Sequence, residues 1–424
     1  MALNDTAIAE LRAEFPALQQ TAGGRPLVFL DGPGGTQVHG SVLDAMNRYL
    51  TEANSNSHGT FLYSHRTDET IFSARSALAD LLNASRPEEI VFGPNMTTLT
   101  FSLSRAIGRT LSPGDEVVVT RLDHDANIAP WLALQEQGAV IRHVDFDPTD
   151  CTLDMAGLEA AITPRTKVVA LGYASNAVGT ITDLARAVEL AHGAGALVYI
   201  DAVHFAPHGP IDVQALDCDL LVCSVYKFFG PHLGALYGRF ELLESLPAYK
   251  VRPADDAPPH KFETGTQSFE ATAGATAAVE YLASVGRRFG AEFRSDFSAF
   301  EGRRLDLKTG MAAIRAYERT LCQKLVAGLG EIPGLHIHGL TDPRRFDQRV
   351  PTTSFTLEGL APHEIARRLD EANIFVWDGN FYALAVTERL GLEEHGGMVR
   401  VGLVHYNTEE EVDLFLGVLS DMPR

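Results

Sequence analysis

Lys227 is the residue of this sequence whose surroundings point most directly to chemistry. It lies in the segment 223–232 (CSVYKFFGPH), immediately after an apolar run that is typical of a buried β-strand. Burial removes water from a lysine side chain, lowers the pKa of its ammonium group and so favours the neutral amine. A neutral amine can form a Schiff base with an aldehyde cofactor. From this segment alone, a surface lysine that begins a loop is an equally good interpretation.

Asp201 strengthens the chemical interpretation of Lys227. Its carboxylate ends the apolar run 196–201 (ALVYID), and Lys227 follows the next apolar run, 220–224 (LLVCS). Because the carboxyl ends of parallel strands meet at one edge of a sheet, both side chains are expected in one crevice. Pyridoxal phosphate requires such a pair: the lysine holds its aldehyde, and the acid keeps its pyridine nitrogen protonated. Taken alone, Asp201 would more often be a turn or helix-capping residue.

Apolar, β-rich runs alternate with helical stretches between about residues 41 and 237. The runs lie at 89–92, 116–120, 167–171, 196–200 and 220–224. Continuous apolar strands separated by helices indicate a mostly parallel sheet that is covered on both faces. Helical patterns dominate from about residue 274 to 330, and shorter strands and helices follow. The sequence therefore predicts a large α/β domain joined by a long helix to a smaller α+β domain.

The composition narrows the possible functions. The 424 residues carry 35 Lys+Arg against 55 Asp+Glu, a formal net charge of −20, with 45% hydrophobic residues. These values are typical of a globular chain and disfavour nonspecific binding to nucleic acid or to an anionic membrane. We see no secretory signal and no apolar run of about 18 residues that would predict a membrane span. Four scattered cysteines form no disulfide scaffold or zinc motif, so we expect a reducing, cytoplasmic location.

Three further segments have the form of motifs: 122–127 (LDHDAN), 175–179 (SNAVG) and 262–266 (FETGT). Together with Asp201 and Lys227, in this order, they resemble the class V aminotransferase-fold enzymes. That family is pyridoxal phosphate-dependent and of fold type I, and its group II cysteine desulfurases and desulfurase-like proteins are the nearest in motif. The resemblance runs from about residue 29 to residue 419.

The resemblance implies an α/β fold, that of the fold type I pyridoxal phosphate transferases. A mostly parallel seven-stranded sheet flanked by helices is expected in a large domain, followed by a small α+β C-terminal domain. We expect an N-terminal segment at 1–25 that packs with the small domain. The large cofactor-binding domain is expected at 26–285 and the small domain at 286–424.

The resemblance also assigns roles to residues that match the family's motifs. Lys227 matches the Schiff-base lysine, and Asp201 matches the partner of the pyridine nitrogen. His124 matches a histidine that stacks on the cofactor ring and can move a proton; a turn histidine is the alternative. Asn176 matches the asparagine that contacts the ring hydroxyl. His204 stands where the family has a cofactor-contacting glutamine.

A second group of residues is expected to hold the cofactor phosphate. Met96 and Thr97 open an apparent helix, whose backbone N–H groups suit a phosphate, although Met96 lacks the hydroxyl of the family's threonine. Ser224 matches the family's phosphate-binding serine. Tyr226 replaces a histidine, and its hydroxyl can still donate to a phosphate. Thr266 matches a threonine that reaches the phosphate of the other subunit, which implies a homodimer.

Substrate recognition is expected from a strand and a loop near the C-terminus. Arg400 matches an arginine that binds the substrate carboxylate through two parallel hydrogen bonds; a surface arginine on an edge strand is the alternative. The loop 377–383 (WDGNFYA) resembles the family's cysteine loop RTGHHCA. Tyr382 stands in place of the cysteine, and a phenol cannot carry sulfane sulfur. The residues expected to line the substrate side are Trp377, Asn380, Phe381 and Tyr382.

The predicted function is a pyridoxal phosphate-dependent reaction on an L-amino acid. We expect β-elimination, or C–S lyase activity, on a cysteine-like substrate, with aminotransferase or epimerase chemistry on another amino acid as the alternative. A non-enzymatic cofactor-binding protein remains a further alternative. No metal site is expected, because Pro207 disfavours a helix that would present both His204 and His208. The sequence leaves open whether a partner protein supplies an acceptor thiol.

Overall fold

A central seven-stranded sheet flanked by helices organises the protein, in a computed structural model that describes residues 3–423. The α-helices of the described residues are α1 (Asp5–Ala13), α2 (Gly40–Glu52), α3 (Leu62–Leu82), α4 (Met96–Gly108), α5 (Ala129–Leu132), α6 (Met155–Ala161), α7 (Leu184–Gly193), α8 (Val213–Leu216), α9 (Phe240–Ser245), α10 (Phe269–Phe289), α11 (Gly302–Gly330), α12 (Pro362–Asp370), α13 (Leu384–Arg389) and α14 (Glu409–Ser420). The strands in the same part of the chain are β1 (Thr21–Ala22), β2 (Arg25–Pro26), β3 (Val28–Phe29), β4 (Ile90–Gly93), β5 (Glu116–Thr120), β6 (Val140–Val144), β7 (Thr166–Gly172), β8 (Leu197–Asp201), β9 (Leu220–Ser224), β10 (Gly234–Gly238), β11 (Leu335–His338), β12 (Thr352–Leu357), β13 (Ile374–Phe375), β14 (Trp377–Gly379) and β15 (Met398–Gly402).

The large sheet has the order β4-β10-β9-β8-β7-β5-β6. Strands β9, β8, β7, β5 and β6 pair in parallel, whereas β10 runs antiparallel to both of its neighbours. The mostly parallel seven-stranded sheet that the sequence predicts is therefore confirmed. The parallel strands end at one edge, and they bring the residues that follow them together there.

The central strands bury both of their faces. Along β5, Val118 belongs to the core on one face of the sheet, whereas Val117 and Val119 belong to the core on the other face. Successive side chains of a strand point to opposite faces, so one apolar run supplies two cores. Helices α2, α3, α10 and α11 pack against one another over the first of these cores.

A smaller antiparallel sheet with the order β11-β12-β15-β14 is formed by the C-terminal part of the chain. Helices α12 and α14 and the second half of α11 pack on it, around a separate apolar cluster. Val28 and Leu30 join this cluster, and β3 pairs in parallel with β13. The residue limits of the two predicted domains stay a prediction.

Helix α11 links the two apolar cores. Leu307 and Ile314 in its first half lie in the large core, and Leu321 and Leu329 in its second half lie in the small one. The N-terminal helix α1 likewise contacts both parts. Its apolar side chains enter the large core, and Arg12 donates to the carbonyl of Tyr406 and to Glu411.

Two strands of the large sheet were not predicted from the sequence. Strand β6 is an edge strand with mostly exposed side chains, so it lacks the continuous apolar run of its neighbours. Strand β10 reads GALYG and is bounded by glycines, which have a low preference for strands. Among the described helices, none is long and apolar enough to cross a membrane.

Candidate active site

A cavity of about 920 Å³ opens at the carboxyl-terminal edge of the large sheet, beneath the loop that follows β14. It gathers most of the predicted site residues from segments that are far apart in the sequence. The predicted residues that line it are Met96, Thr97, His124, Asn176, Asp201, His204, Tyr226, Lys227, Trp377, Asn380, Phe381, Tyr382 and Arg400. Ser224 lies directly behind the lining, where its hydroxyl accepts the N–H of Met96 at 3.1 Å. Thr266 is exposed and lies outside the cavity.

Lys227 lies in a short turn of 3₁₀ helix that follows β9. Its ammonium nitrogen donates to the carbonyl of Pro33 and lies 4.9 Å from the centre of the Tyr226 ring. Burial and, to a smaller extent, the nearby charge of Arg400 together lower the pKa of Lys227 to about 7, against the raising effect of Asp201. A large fraction of the side chain is therefore the neutral amine near pH 7.

Asp201 is the last residue of β8 and lies in register with Gly172 and Val222 on the neighbouring strands. Its carboxylate accepts the N–H of Val203 at 2.9 Å. Burial raises the pKa of Asp201 to about 6, while the hydrogen bond from Val203 and the charge of Lys227 oppose this rise. A buried carboxylate at this edge can bind and hold the proton of a ring nitrogen.

His124 follows β5 and packs against the loop after β14. Its Nδ1 accepts the N–H of Ala126 at 3.0 Å. Burial lowers the pKa of His124 to about 4, helped by the charges of Lys227 and Arg400, so the imidazole is neutral near pH 7. The ring stacks on Tyr382, with 5.5 Å between the ring centres and 14° between the planes.

The loop that carries Tyr382 is held in an unusual backbone conformation. Phe381 and Tyr382 have φ angles of +58° and +59°, a region that costs residues other than glycine roughly 1–2 kcal/mol each. The backbone carbonyl of Tyr382 accepts the N–H of Asp125 at 2.7 Å. The backbone N–H of Tyr382 donates to the side-chain oxygen of Asn380 at 3.1 Å. These bonds tie the loop to the segment that carries His124.

Arg400 lies on the internal strand β15 and is buried, which excludes the alternative of a surface arginine on an edge strand. It donates to the carbonyl of Asn176 at 2.8 Å, and its guanidinium lies 4.2 Å from the centre of the Phe381 ring. Its Nε is buried without a partner. Burial lowers the pKa of Arg400 to about 9, opposed by the charge of Asp31. A desolvated guanidinium without a hydrogen-bonded carboxylate is suited to bind one from a ligand.

The N-terminus of helix α4 forms one end of the cavity, where Met96 and Thr97 line the wall. Asn95 caps the helix by accepting the N–H of Thr98 at 2.9 Å. The hydroxyl of Thr97 contacts only the sulfur of Met96, at 3.4 Å, so it is free to turn toward a stronger acceptor. Backbone N–H groups at a helix N-terminus favour an anion at this place.

His204 lies fully buried in the floor of the cavity. Burial lowers the pKa of His204 well below its usual value, and its Nε2 has no partner. Its ring lies 5.6 Å from that of His208, which hydrogen-bonds to Glu318 at 2.7 Å. Within the described residues, no three His, Cys, Asp or Glu side chains are grouped as metal ligands.

Two acidic residues of the cavity region whose pKa values are raised were not identified from the sequence. Burial raises the pKa of Asp123 to about 7; its carboxylate accepts the N–H of Gly172 at 2.8 Å. Burial raises the pKa of Asp31 to about 6, and one of its oxygens has no partner. Asp31 ends the apolar run 27–31 (LVFLD) before three nearby glycines, so the signal that identified Asp201, an acid at a strand end, could have identified it.

The fold and the cavity together define a pyridoxal phosphate-dependent enzyme of fold type I. The family model for class V aminotransferases matches residues 28–294 and 302–415. The chain belongs to the class V aminotransferase family.

The relatives and solved structures compared below are named as cysteine desulfurases. A probable cysteine desulfurase of Synechocystis sp. is 32% identical over 427 residues, which cover 97% of this chain and 94% of the relative. A probable cysteine desulfurase of Mycolicibacterium paratuberculosis is 33% identical, but this chain spans only 57% of that relative's length. The structure of a cysteine desulfurase from Thermococcus onnurineus NA1 has a TM-score of 0.84 at 26% identity, with 97% of both chains covered. For the cysteine desulfurase CsdA of Escherichia coli the TM-score is 0.80 at 27% identity, again over 97% of both chains.

Proposed function

We propose that this enzyme catalyses β-elimination from an L-amino acid with a cysteine-like leaving group, and so acts as a C–S lyase. The desulfurase names of its relatives support chemistry at a carbon–sulfur bond. The observation that carries the choice of elimination is the absence of a cysteine from the cavity lining. A desulfurase that transfers sulfur to its own cysteine needs a thiolate within reach of the substrate.

All four cysteines of the chain are buried. Burial raises the pKa of the thiols of Cys151, Cys218 and Cys223 to about 12, and it also raises that of Cys322. The thiolate is the nucleophilic form, so these groups are inert near pH 7. At the mouth of the cavity, where the resemblance places the family's cysteine, the chain has Tyr382.

The residues of the cavity fit pyridoxal phosphate, which we propose as the cofactor. Three buried polar atoms on residues that line the cavity have no partner among the described residues: Asn176 Oδ1, His204 Nε2 and Arg400 Nε. Unpaired buried polar atoms are costly, so they support a polar ligand at this place. Thr97, Ser224 and the N-terminus of α4 would hold the phosphate, Asp201 the ring nitrogen, and Asn176 with His204 the ring hydroxyl. His124 would cover the ring face.

The proposed reaction divides between the cofactor and the chain. Pyridoxal phosphate supplies an aldehyde that captures the amino group and a ring that accepts electrons from the bond broken at Cα. Arg400 binds the substrate carboxylate and so fixes the orientation of Cα. Lys227, as a neutral amine, removes the proton from Cα and holds it.

Elimination follows from this arrangement of acid and base. The electrons of the Cα–H bond form the Cα–Cβ double bond, the Cβ–S bond breaks, and the sulfur leaves as a thiolate that takes up a proton. The enamine product reacts with water to give pyruvate and ammonia.

The fate of the sulfur tests this proposal. The enzyme is incubated with L-cysteine without reductant, and the protein is then analysed by mass spectrometry after alkylation. We expect sulfide in solution and no sulfur added to any of the four cysteines. A persulfide on Cys223 or another cysteine would overturn the proposal. The variant Tyr382→Cys is the matched positive control, because it restores a thiol at the mouth.

We also propose that the enzyme is a homodimer in which Thr266 reaches the phosphate site of the partner subunit. Its exposed position outside the cavity of its own chain is compatible with that role. The four free, buried cysteines support a reducing compartment such as the cytoplasm as the place of function.

A further inference from the structure

The cavity has a buried floor and an exposed mouth, and the two differ in charge. On the inner side Arg400 is buried and Lys227 is half-buried, whereas Trp377 and Tyr382 at the mouth are 49% and 74% exposed. An amino acid held by its carboxylate on Arg400 and by its amino group near Lys227 must direct its side chain to the remaining space, toward the mouth.

The mouth is lined by carboxylates without compensating cations. Asp125, Asp378 and Glu393 line the cavity, and among the described residues its only lysine and arginine are Lys227 and Arg400 on the inner side. The two carboxylate oxygens of Glu393 accept hydrogen bonds from the side chains of Asn380 and Thr387. A carboxylate oxygen of Asp378 lies 3.4 Å from Nδ1 of the exposed His363. Asp125 alone of the three makes no side-chain hydrogen bond or ion pair with any described residue.

The aromatic ring of Tyr382 lies in the same cavity wall as the carboxylate of Asp125. The backbone N–H of Asp125 donates to the carbonyl of Tyr382, which couples the two residues directly. The Tyr382 ring is largely exposed and is held against His124. The face of an aromatic ring attracts cations, and a neighbouring carboxylate adds to that attraction.

We propose that Asp125 and Tyr382 make the enzyme selective for amino acids whose side chain carries a positive charge beyond the sulfur. The inference rests on the proposed function, since it concerns the same cavity and the same class of substrate. The loop 377–383 has no basic residue, whereas the RTGHHCA loop that it resembles begins with arginine. An anionic side chain would meet only carboxylates at this mouth.

Three amino acids of similar length test the inference: S-(2-aminoethyl)-L-cysteine, S-ethyl-L-cysteine and S-carboxymethyl-L-cysteine, with cationic, neutral and anionic side chains. Their dissociation constants from the holoenzyme are measured by calorimetry and by the change in the visible spectrum of the cofactor. We expect the cationic compound to bind about tenfold more tightly than the neutral one, and the anionic compound to bind most weakly. The preference should shrink as ionic strength rises.

Substitutions of Asp125 and Tyr382 test whether these two residues cause the preference for the cationic compound. Asp125→Asn should remove most of it, and Asp125→Lys should reverse it in favour of the anionic compound. Tyr382→Leu should weaken binding of the cationic compound while leaving that of the neutral one within about twofold. Asp296→Asn, which changes an exposed carboxylate outside the cavity, is the matched control and should keep the wild-type order.

Binding and turnover are scored separately, so the two proposals can fail independently. If the cationic compound binds most tightly but no compound loses its Cβ–S bond, the proposed function is wrong and the selectivity stands. If elimination occurs but all three compounds bind equally, or the Asp125 variants keep the wild-type order, the selectivity is wrong.

Discussion

Lys227 shows how burial at a strand end prepares a residue for chemistry. The side chain is partly removed from water, so its charged form is destabilised, and the nearby guanidinium of Arg400 adds to this effect. Asp201 and Asp31 partly offset it. The result is an amine that is nucleophilic and basic near neutral pH, where an exposed lysine would be protonated.

The rate of cofactor uptake should report this shifted pKa. Only the neutral amine attacks an aldehyde, and burial lowers the pKa of Lys227 from 10.5 to about 7. The rate at which apoprotein binds pyridoxal phosphate should therefore rise from about pH 6 and level off above about pH 8, as followed by visible absorbance. A rate that still rises steeply between pH 9 and 10 would contradict the assignment. Lys227→Ala should show no band at any pH, and Lys324→Ala, at a surface ion pair, should match wild type.

The buried guanidinium of Arg400 should govern substrate affinity and leave cofactor affinity unchanged. Removing one partner of a buried, hydrogen-bonded charge pair costs about 2–5 kcal/mol, so Arg400→Ala should raise the KM for the amino acid about a hundredfold. Arg400→Lys keeps the charge but loses the second hydrogen bond, so it should fall in between. Steady-state kinetics measures the change. Loss of the bound cofactor in either variant would show that the role of Arg400 has been misread.

The site residues that could be predicted from the sequence are those that end a strand or belong to a motif. Lys227, Asp201 and Arg400 each follow or lie in an apolar run, and all three line the cavity. Asp123 was placed within a motif, but its protonation could not be anticipated, because its pKa depends on burial and on the charge of Asp201 in three dimensions. The left-handed backbone of Phe381 and Tyr382 has no signal in side chains of this type.

At the scale of elements, one buried ion pair fixes the segment that contains Thr266. Arg75 on α3 makes two hydrogen bonds to Glu263, at 2.6 and 2.8 Å. Glu263 also accepts the N–H of Phe92 on β4 at 2.7 Å. The segment 262–266 is thereby tied to a helix and to the edge of the sheet, which sets the position of Thr266.

Breaking this pair should destabilise the protein strongly. Glu263→Gln leaves the guanidinium of Arg75 buried without its counter-charge, a change that costs about 3–5 kcal/mol. The free energy of unfolding is measured by urea denaturation with circular dichroism. Glu189→Gln, in the exposed pair with Arg186, is the control and should cost less than about 1 kcal/mol. Equal effects of the two substitutions would show that the buried pair does not fix the segment.

Elements with one dominant pattern were predicted well, and those without one were not. The apolar runs at 116–120 and 220–224 coincide with β5 and β9. Helix α14 begins after Thr408, whose hydroxyl caps the helix by accepting the N–H of Glu411 at 3.2 Å. Strands β6 and β10 were not predicted because β6 has few buried side chains and β10 is a short run bounded by glycines.

At the scale of the whole molecule, the cavity lies where the two sheets meet. The large sheet supplies the cofactor-side residues from its strand ends, and the small sheet supplies Arg400 from β15 and Tyr382 from the loop after β14. Helix α11 contributes side chains to both apolar cores. The relative position of Lys227 and Arg400 therefore depends on the packing of the entire chain.

Two measurements test the proposed dimer: the mass of the protein in solution and the affinity of a Thr266 variant for pyridoxal phosphate. The purified protein should have a solution mass of about twice 46.0 kDa by light scattering. Thr266→Ala should weaken the binding of pyridoxal phosphate without changing this mass, because it removes only a hydroxyl at the proposed interface. A monomer with full cofactor affinity would contradict both the dimer and the role of Thr266.

The fate of the carbon skeleton distinguishes β-elimination from desulfuration. The enzyme is incubated with L-cysteine labelled with carbon-13 at Cβ, in the presence of dithiothreitol, and the products are followed by nuclear magnetic resonance. We expect labelled pyruvate, with ammonia and sulfide released in equal amounts. Labelled alanine, or loss of cysteine without pyruvate, would contradict elimination as the reaction of this enzyme.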